Sequence, residues 1–122
     1  MAVKTDPPET DASVWPTVSV VIPTLNAAAL IGNCLESIAR QSYPRNRIEI
    51  ILADALSTDD TRKIAARFGV VVIDDHGRNM EEGKRLALQQ ARGDYGLFVD
   101  ADNELNHPEL REWAVRGLER KP

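Results

Sequence analysis

Short apolar, β-branched runs alternate along this chain with longer stretches in which apolar residues recur at helical spacing. The apolar runs predict four buried strands, at residues 17–22, 48–53, 70–73 and 95–99. The longer stretches predict helices at residues 27–42, 57–68 and 80–92, and a last helix that begins near Pro108. Strands that alternate with helices indicate an α/β fold, with a mostly parallel four-stranded sheet and helices on both faces.

Local signals set the expected ends of these elements. Pro23 is expected to end the first strand, and Asn26 is expected to be the N-cap of the first helix. The polar, proline-containing residues 1–16 predict a flexible leader, with Trp15 packed onto the edge of the domain that follows. The remaining residues, 17–122, are expected to form one domain.

Each predicted strand is followed by polar residues at the point where it ends: Pro23-Thr24-Leu25-Asn26, Asp54, Asp74-Asp75, and Asp100 with Asp102. In open parallel sheets, ligands bind outside the carboxyl ends of the strands, where the strand order reverses. Two carboxylates this close repel each other, and a hard divalent cation such as Mg²⁺ or Mn²⁺ relieves that repulsion. The pattern therefore predicts a metal-assisted phosphate site, and an acidic turn that simply ends a strand is the alternative.

Composition narrows the possible functions further. The chain has 122 residues of which 43% are hydrophobic, enough for one domain with a real core. Its net charge of -4 argues against a nucleic-acid-binding protein. The sequence contains no apolar run near the ~20 residues that span a bilayer, so no transmembrane segment is expected. The polar N-terminus has no signal-peptide core, which predicts a cytoplasmic protein and leaves peripheral membrane contact open. The single cysteine, Cys34, is expected to be a buried thiol.

Several motifs follow one another over residues 17–105: VSVVIPTLN at 18–26, LESI at 35–38, QSYP at 41–44, EIILAD at 49–54, STDDT at 57–61, and ARGDY at 91–95 leading into FVDAD at 98–102. In order and spacing they resemble the nucleotide-sugar-binding half of a family-2 glycosyltransferase. That resemblance implies a Rossmann-like GT-A fold. It also implies a nucleotide-diphospho-sugar as partner, with a UDP-sugar favoured over a GDP-sugar.

The resemblance further implies roles for the residues that follow the first two strands. Pro23, Thr24 and Asn26 would line the base and ribose of the nucleotide, and Asp54 would hydrogen-bond the base. One departure from the family pattern lies here, because Ala55 and Leu56 follow Asp54 where the family commonly has Asp, Asn or Gly and then a small residue.

At the diphosphate end of the site, the resemblance implies that Asp100 approaches the ribose or the metal and that Asp102 is the main ligand of Mn²⁺ or Mg²⁺. The metal would stabilise the departing nucleoside diphosphate as a Lewis acid. Arg78, Lys84 or Arg85 could reach a phosphate, and the alternative for the two helical residues is a solvated helix face.

The chain is also short for this family, whose members usually continue with an acceptor-binding half that carries the general base of inverting enzymes. None of the later carboxylates, Glu104, Glu109 and Glu112, lies in the expected context, so no base is assigned. Two hypotheses remain. In the first, the chain is a metal-dependent transferase domain that is a fragment, a natural truncation or a unit completed by another chain. In the second, it is a non-catalytic nucleotide-binding or scaffolding module that forms a homo-oligomer through surface the missing half normally covers.

Overall fold

The computed structural model describes residues 15–74 and 80–102, in which strands and helices alternate as predicted. The strands are β1 (Val18–Thr24), β2 (Ile48–Asp54), β3 (Val71–Asp74) and β4 (Tyr95–Phe98). The helices are α1 (Ala28–Ala39), α2 (Thr61–Arg67) and α3 (Met80–Gln90), and a short 3₁₀ helix, Arg45–Arg47, leads into β2. The helix predicted near Pro108 lies outside the described residues.

The four strands form one parallel sheet in the order β3-β2-β1-β4. β1 is central and all seven of its residues are buried. On one face, Val20 and Ile22 pack in a cluster with Ile31 of α1 and Ala65 of α2. On the other face, Val21 packs in a second cluster, which contains Ala87 of α3. The predicted α/β fold with helices on both faces is therefore confirmed.

Burial of the β-branched strands provides the main driving force for this arrangement. Each fully buried aliphatic side chain stabilises the fold by about 1.5–3 kcal/mol relative to an exposed one. Cys34 of α1 is fully buried in the same cluster as Ile31, which confirms the expected buried thiol.

Pro23 does not end β1, contrary to the prediction, because the strand continues through Thr24. Proline lacks the N–H that a central strand normally donates. The pairing of β1 with β4 stops at Val21, whereas the pairing with β2 continues to Thr24. The backbone N–H of Val99 donates to Val21 O. The backbone N–H and C=O groups of every second β1 residue, counted from Val21, therefore point toward β4. Pro23 belongs to that set and lies beyond the β4 ladder, where a missing N–H removes no strand-to-strand bond.

The starts of two helices also differ from the prediction. The N-cap of α1 is Ala27, without a side-chain cap, and Asn26 has a left-handed backbone with φ 50°. α2 begins at Thr61 rather than at residue 57. The side-chain oxygen of Asn26 accepts from the β2–α2 loop instead of α1, and Asp59 accepts from Ala28 N at the start of α1 as well as from Thr61 N.

Trp15 is only 3% exposed and packs edge-on against Tyr43, with ring centroids 5.0 Å apart. The hydroxyl of Tyr43 donates to the carbonyl oxygen of Pro16, and burial raises the pKa of Tyr43 to about 12. Residues 15 and 16, assigned to the leader from the sequence, thus pack on the domain, as expected for Trp15 itself. Among the described helices there is none with the length and apolarity that a membrane span requires.

Candidate functional site

The carboxyl ends of all four strands lie along one edge of the sheet, called the carboxyl edge below. Thr24 pairs with Asp54, and Asp54 pairs with Asp74, so three polar residues stand side by side at the ends of β1, β2 and β3. Asp100 follows two residues after Phe98, the last residue of β4. The prediction that these groups share one edge is confirmed for the described residues, and Asp75 lies outside them.

The strand order identifies the crevice in this edge where a ligand is expected. The chain moves from β1 outward to β2 and β3 and then returns to the opposite side of β1 to form β4. The order therefore reverses between β1 and β4, which is where open α/β sheets bind ligands. Asp100 and Asp102 follow β4 at this crevice, and both side chains are exposed.

Two contacts of the backbone hold the acidic segment, residues 100–102, in place. Val99 is buried, and its N–H donates to the carbonyl oxygen of Val21 at 3.0 Å. The thiol of Cys34 lies 3.8 Å from the carbonyl oxygen of Asp100, at the long end of hydrogen bonds that involve sulfur. The backbone is therefore anchored to β1 and α1 while the carboxylates of Asp100 and Asp102 face solvent.

Two exposed carboxylates suit a hard divalent cation whose remaining ligands come from elsewhere. Within residues 15–74 and 80–102, no group of three or more His, Cys, Asp or Glu side chains could hold a metal ion. Mg²⁺ in particular is commonly bound by one or two carboxylates together with substrate phosphates and water. The donor set at Asp100 and Asp102 fits a metal shared with a phosphate ligand rather than a site made of protein alone.

Asp54 occupies a different environment, because its side chain is fully buried. Its carboxylate accepts four hydrogen bonds, from Thr24 Oγ1 at 2.7 Å, Ser57 Oγ at 2.6 Å, Ser57 N at 3.0 Å and Arg62 Nε at 2.7 Å. Both oxygens are thus already bonded to neighbouring residues. The direct bond from Asp54 to a base stays a prediction, and the structure adds that this carboxylate holds β1, the β2–α2 loop and α2 together.

The pKa of the Asp54 carboxyl reflects two opposing effects. Burial alone raises the pKa, but the hydrogen bonds from Ser57, Thr24 and Arg62 outweigh it, so the pKa lies below its ordinary value. Asp54 is therefore charged at neutral pH and acts as an acceptor only.

Arg62 completes this arrangement, and the sequence analysis did not identify it. Its Nε bonds to Asp54, and its Nη2 lies 3.7 Å from Asp74 Oδ2, so the guanidinium spans the ends of β2 and β3. A basic residue in the first turn of a helix that directly follows an acidic strand end is the signal that could have indicated it.

Asn26 connects the two loops of the carboxyl edge instead of capping α1. Its Oδ1 accepts hydrogen bonds from the N–H groups of Thr58 at 2.8 Å and Asp59 at 3.3 Å, and its own N–H donates to Ser57 Oγ at 2.8 Å. Asparagine tolerates the left-handed backbone found here better than most residues. Its predicted role in lining the nucleotide stays a prediction, while its contacts show that it orders the turn.

The β2–α2 loop in return caps α1. Ala27 N donates to Thr61 Oγ1 at 2.9 Å, and Ala28 N donates to Asp59 Oδ2 at 3.0 Å. Asp59 also accepts from the hydroxyl and from the N–H of Thr61, and the bond from the hydroxyl is the main cause of its lowered pKa, with the two backbone bonds adding to it. Asp59 therefore accepts from N–H groups at the starts of both α1 and α2, where a negative charge is favourable.

Of the three cations considered for a phosphate contact, Lys84 lies beside the acidic segment. Its Nζ is 5.4 Å from the centroid of the Phe98 ring and 3.3 Å from Glu81 Oε1. Arg85 pairs with Glu82 on the exposed surface of α3. Arg78 lies outside the described residues. The structure thus places Lys84 next to the end of β4, and its contact with a phosphate stays a prediction.

Leu56 has a left-handed backbone, with φ 57°, and its side chain is half-exposed. Such a backbone costs a β-carbon-bearing residue about 1–2 kcal/mol, and glycine avoids the cost. We expect Leu56→Gly to be less destabilising than Leu25→Gly by about 1–2 kcal/mol. Leu25 is a matched control because it is exposed to a similar extent, and it is not among the positive-φ residues. Urea denaturation of the two variants measures the difference, and equal losses would contradict a strained Leu56.

The family model described as Glycosyl transferase family 2 matches residues 19–114 of this chain. One curated relative is a poly(ribitol-phosphate) beta-N-acetylglucosaminyltransferase, TarS, of Staphylococcus aureus. It is 31% identical over 103 residues, which are 80% of this chain and 18% of the relative.

Solved structures of glycosyltransferases are also similar to this chain. The crystal structure of S. aureus TarS 1-349 in complex with UDP superposes with a TM-score of 0.77 at 30% identity, over 81% of this chain and 31% of that one. The mannosyltransferase PcManGT from Pyrobaculum calidifontis, in complex with GDP-Man and Mn²⁺, gives a TM-score of 0.75 at 27% identity, over 85% and 34% of the two chains. The chain therefore spans about a third or less of the length of these proteins.

Proposed function

The chain belongs to glycosyl transferase family 2, and from that premise we propose that its carboxyl edge binds a nucleotide-diphospho-sugar together with a divalent metal, for transfer of the sugar to an acceptor. The observation that carries the proposal is the position of Asp100 and Asp102, exposed and two residues apart at the point where the strand order reverses. Among the similar proteins, one structure holds UDP and another holds GDP-Man with Mn²⁺, which supports a nucleoside diphosphate and a metal of this kind.

Asp100 and Asp102 would hold Mn²⁺ or Mg²⁺ against the diphosphate of the donor. When bound, the metal supplies Lewis-acid stabilisation of the charge that accumulates as the nucleoside diphosphate leaves. Lys84, held beside Phe98, would add a positive charge on the α3 side of the same phosphates. The β1–α1 turn, ordered by Asn26, would set the shape of the nucleoside pocket. No general base is assigned within the described residues.

The direct test is isothermal titration of the full chain with UDP and with GDP, in the presence of Mn²⁺ and again with a chelator. Binding that requires the metal supports the proposal. Absence of metal-dependent binding of either nucleoside diphosphate overturns it. A sugar-nucleotide hydrolysis assay then distinguishes the two hypotheses drawn from the sequence, because a scaffolding module binds without turnover.

Asp102→Ala should weaken metal-dependent UDP binding at least tenfold, since even residues that only support metal ligands contribute 10–100-fold to metal affinity. Asp94→Ala is the matched control. It removes the same charge just before β4, at the opposite edge of the sheet, and should leave the affinity for UDP unchanged. Equal affinity of the Asp102 variant and the wild type would remove Asp102 from the metal site.

A further inference from the structure

Phe98 lies at the edge of the crevice between β1 and β4. It is the last residue of β4 and pairs in register with Val21 of β1. The ladder between the two strands ends one residue later, where Val99 N donates to Val21 O. Beyond that bond, β1 continues beside β2 only, and the other chain enters the acidic segment. Phe98 is therefore the residue of β4 that adjoins Asp100 and Asp102 at the opening of the crevice.

The side chain of Phe98 lies on the α3 side of the sheet. Val99 belongs to the core cluster on the α1 side, and Leu97 packs against that cluster. Gly96, two residues before Phe98, faces α3, because a β-carbon there would meet Leu88 of this helix at 3.0 Å. Side chains alternate between the two faces along a strand, so Phe98 also faces α3. The residue is 49% exposed, and α3 therefore covers only part of its ring.

Lys84 of α3 lies against this ring. Its Nζ is 5.4 Å from the centroid of the Phe98 ring, within the range of about 6 Å for a cation–π interaction. The same ammonium group lies 3.3 Å from Oε1 of Glu81, whose side chain is 84% exposed. An ion pair with so exposed a carboxylate contributes little, so a phosphate oxygen can replace Glu81 at a small cost. The contact with the ring does not have to be broken for this exchange.

We propose that Phe98 is a positioning residue of the donor site, whose ring holds the ammonium group of Lys84 beside the crevice, where it contacts the diphosphate of the ligand. A lysine side chain loses rotamer freedom when it binds a phosphate, and a ring that already restricts the ammonium group reduces that loss. Phe98 acts through Lys84 and touches no reacting atom. The inference rests on the proposed function, since it requires a nucleoside diphosphate at the carboxyl edge.

The experiment is titration of the full chain with UDP in the presence of Mn²⁺. Phe98→Leu keeps an apolar side chain without the ring, and should weaken UDP binding about two- to fivefold, the usual effect of a partly exposed cation–π contact. Phe98→Tyr keeps the ring and should bind UDP as the wild type does. Val71→Ala is the matched control, because Val71 is an apolar residue of similar exposure, 46%, at the amino end of β3. Its affinity for UDP should equal that of the wild type.

A double-mutant cycle with Lys84→Met separates positioning from packing. Methionine keeps an unbranched apolar side chain but has no charge. In the Lys84→Met background, Phe98→Leu should cause no further loss of UDP affinity, because the ring then has no cation to hold. A loss of packing alone would weaken UDP binding equally in both backgrounds. Melting temperatures of all variants, measured without ligand, show that each one is folded.

Four results overturn the inference: wild-type affinity in Lys84→Met, wild-type affinity in Phe98→Leu, an equal loss from Phe98→Leu in both backgrounds, and a loss in Phe98→Tyr as large as that in Phe98→Leu. The first applies even if Phe98→Leu does not fold, since Lys84 lies on a partly exposed face of α3. In all four cases the wild type still binds UDP, so the proposed function survives. Failure of the wild type to bind any nucleoside diphosphate with Mn²⁺ overturns both.

Discussion

Replacement of Gly93 by alanine is expected to destabilise the fold by about 3 kcal/mol, at the upper end of the range for overpacking. A β-carbon at this position would lie 2.7 Å from both the backbone nitrogen and Oγ of Ser19, and 2.9 Å from the carbonyl carbon of Val18. Two of these atoms belong to the backbone of the central strand, which cannot move aside as a flexible side chain can. The substitution therefore forces β1 and the start of β4 apart.

The hydrogen bonds at this point increase the expected loss. Gly93 N donates to Ser19 Oγ at 2.8 Å, and Ser19 Oγ donates to Glu49 Oε1 at 2.8 Å. The same carboxylate accepts from Arg92 N, so Glu49 links the ends of β1, β2 and β4 that lie opposite the carboxyl edge. A displaced residue 93 leaves the buried hydroxyl of Ser19 with one partner fewer, and such losses cost about 1–3 kcal/mol each.

Gly32→Ala is the control, because it makes the same change from glycine to alanine at a position that has room for a β-carbon. A β-carbon there would meet Ile64 Cγ2 at 3.8 Å, an ordinary contact, and the residue lies inside α1. Alanine should stabilise a helix interior by up to about 1 kcal/mol relative to glycine. Urea denaturation of both variants measures the two free energies of unfolding. If Gly93→Ala lost no more than about 1 kcal/mol, the close approach of β1 and residue 93 would be wrong.

Asp54→Asn is expected to cost about 3 kcal/mol at neutral pH, because breaking a buried ion pair and leaving buried donors unsatisfied are both expensive. The amide keeps the shape of the carboxylate. Its nitrogen cannot accept a hydrogen bond, so donors from Ser57, Thr24 or Arg62 lose their acceptor, and the charge that pairs with Arg62 is gone. Thermal or urea denaturation measures the loss. Asp60→Asn, at an exposed position just before α2, is the control and should change stability by less than about 0.5 kcal/mol.

The same substitution should alter how stability depends on pH. The pKa of Asp54 is lower in the folded protein than in the unfolded chain, so the unfolded chain binds the proton more readily. The stabilisation by Asp54 is therefore complete above the unfolded value, about 4, and is lost as the pH falls toward the folded value. The difference in stability between the wild type and Asp54→Asn should shrink below about pH 4. A difference that stays constant down to pH 2 would show that the charge of Asp54 does not stabilise the fold.

The strands and the edge they share were predictable because the signals for them are local. Nearly continuous β-branched runs such as residues 17–22 are typical of strands buried on both faces of a covered parallel sheet. Parallel strands end at the same side, so Asp54 and Asp100 had to lie along one edge wherever their strands were placed. The family resemblance rested on the same local motifs, and the comparisons confirmed it.

The errors arose where side chains bond across long separations in sequence. Asn26 is a residue type that favours the N-cap position, but its side-chain oxygen accepts a hydrogen bond from Thr58 N, 32 residues later. The bonds that Thr24, Ser57 and Arg62 donate to Asp54 were not predicted, whereas its direct bond to a base stays a prediction. Pro23 is a residue type that commonly ends a strand. Here β4 is too short to pair with it, so its missing N–H removes no hydrogen bond between the strands. None of these outcomes follows from the residue and its neighbours in the chain.

Hydrophobic periodicity in the chain was enough to establish the α/β class, the number of described strands and the edge at which the acidic residues gather, because burial acts on each segment separately. The order β3-β2-β1-β4 depended on how the segments pack together, and it alone placed Asp100 and Asp102 at the reversal beside β1. Packing likewise decided which carboxylates bond within the protein and which remain exposed to a ligand. Asp54 and Asp102 look alike in the sequence, and they differ because one is enclosed by three other side chains and the other faces solvent.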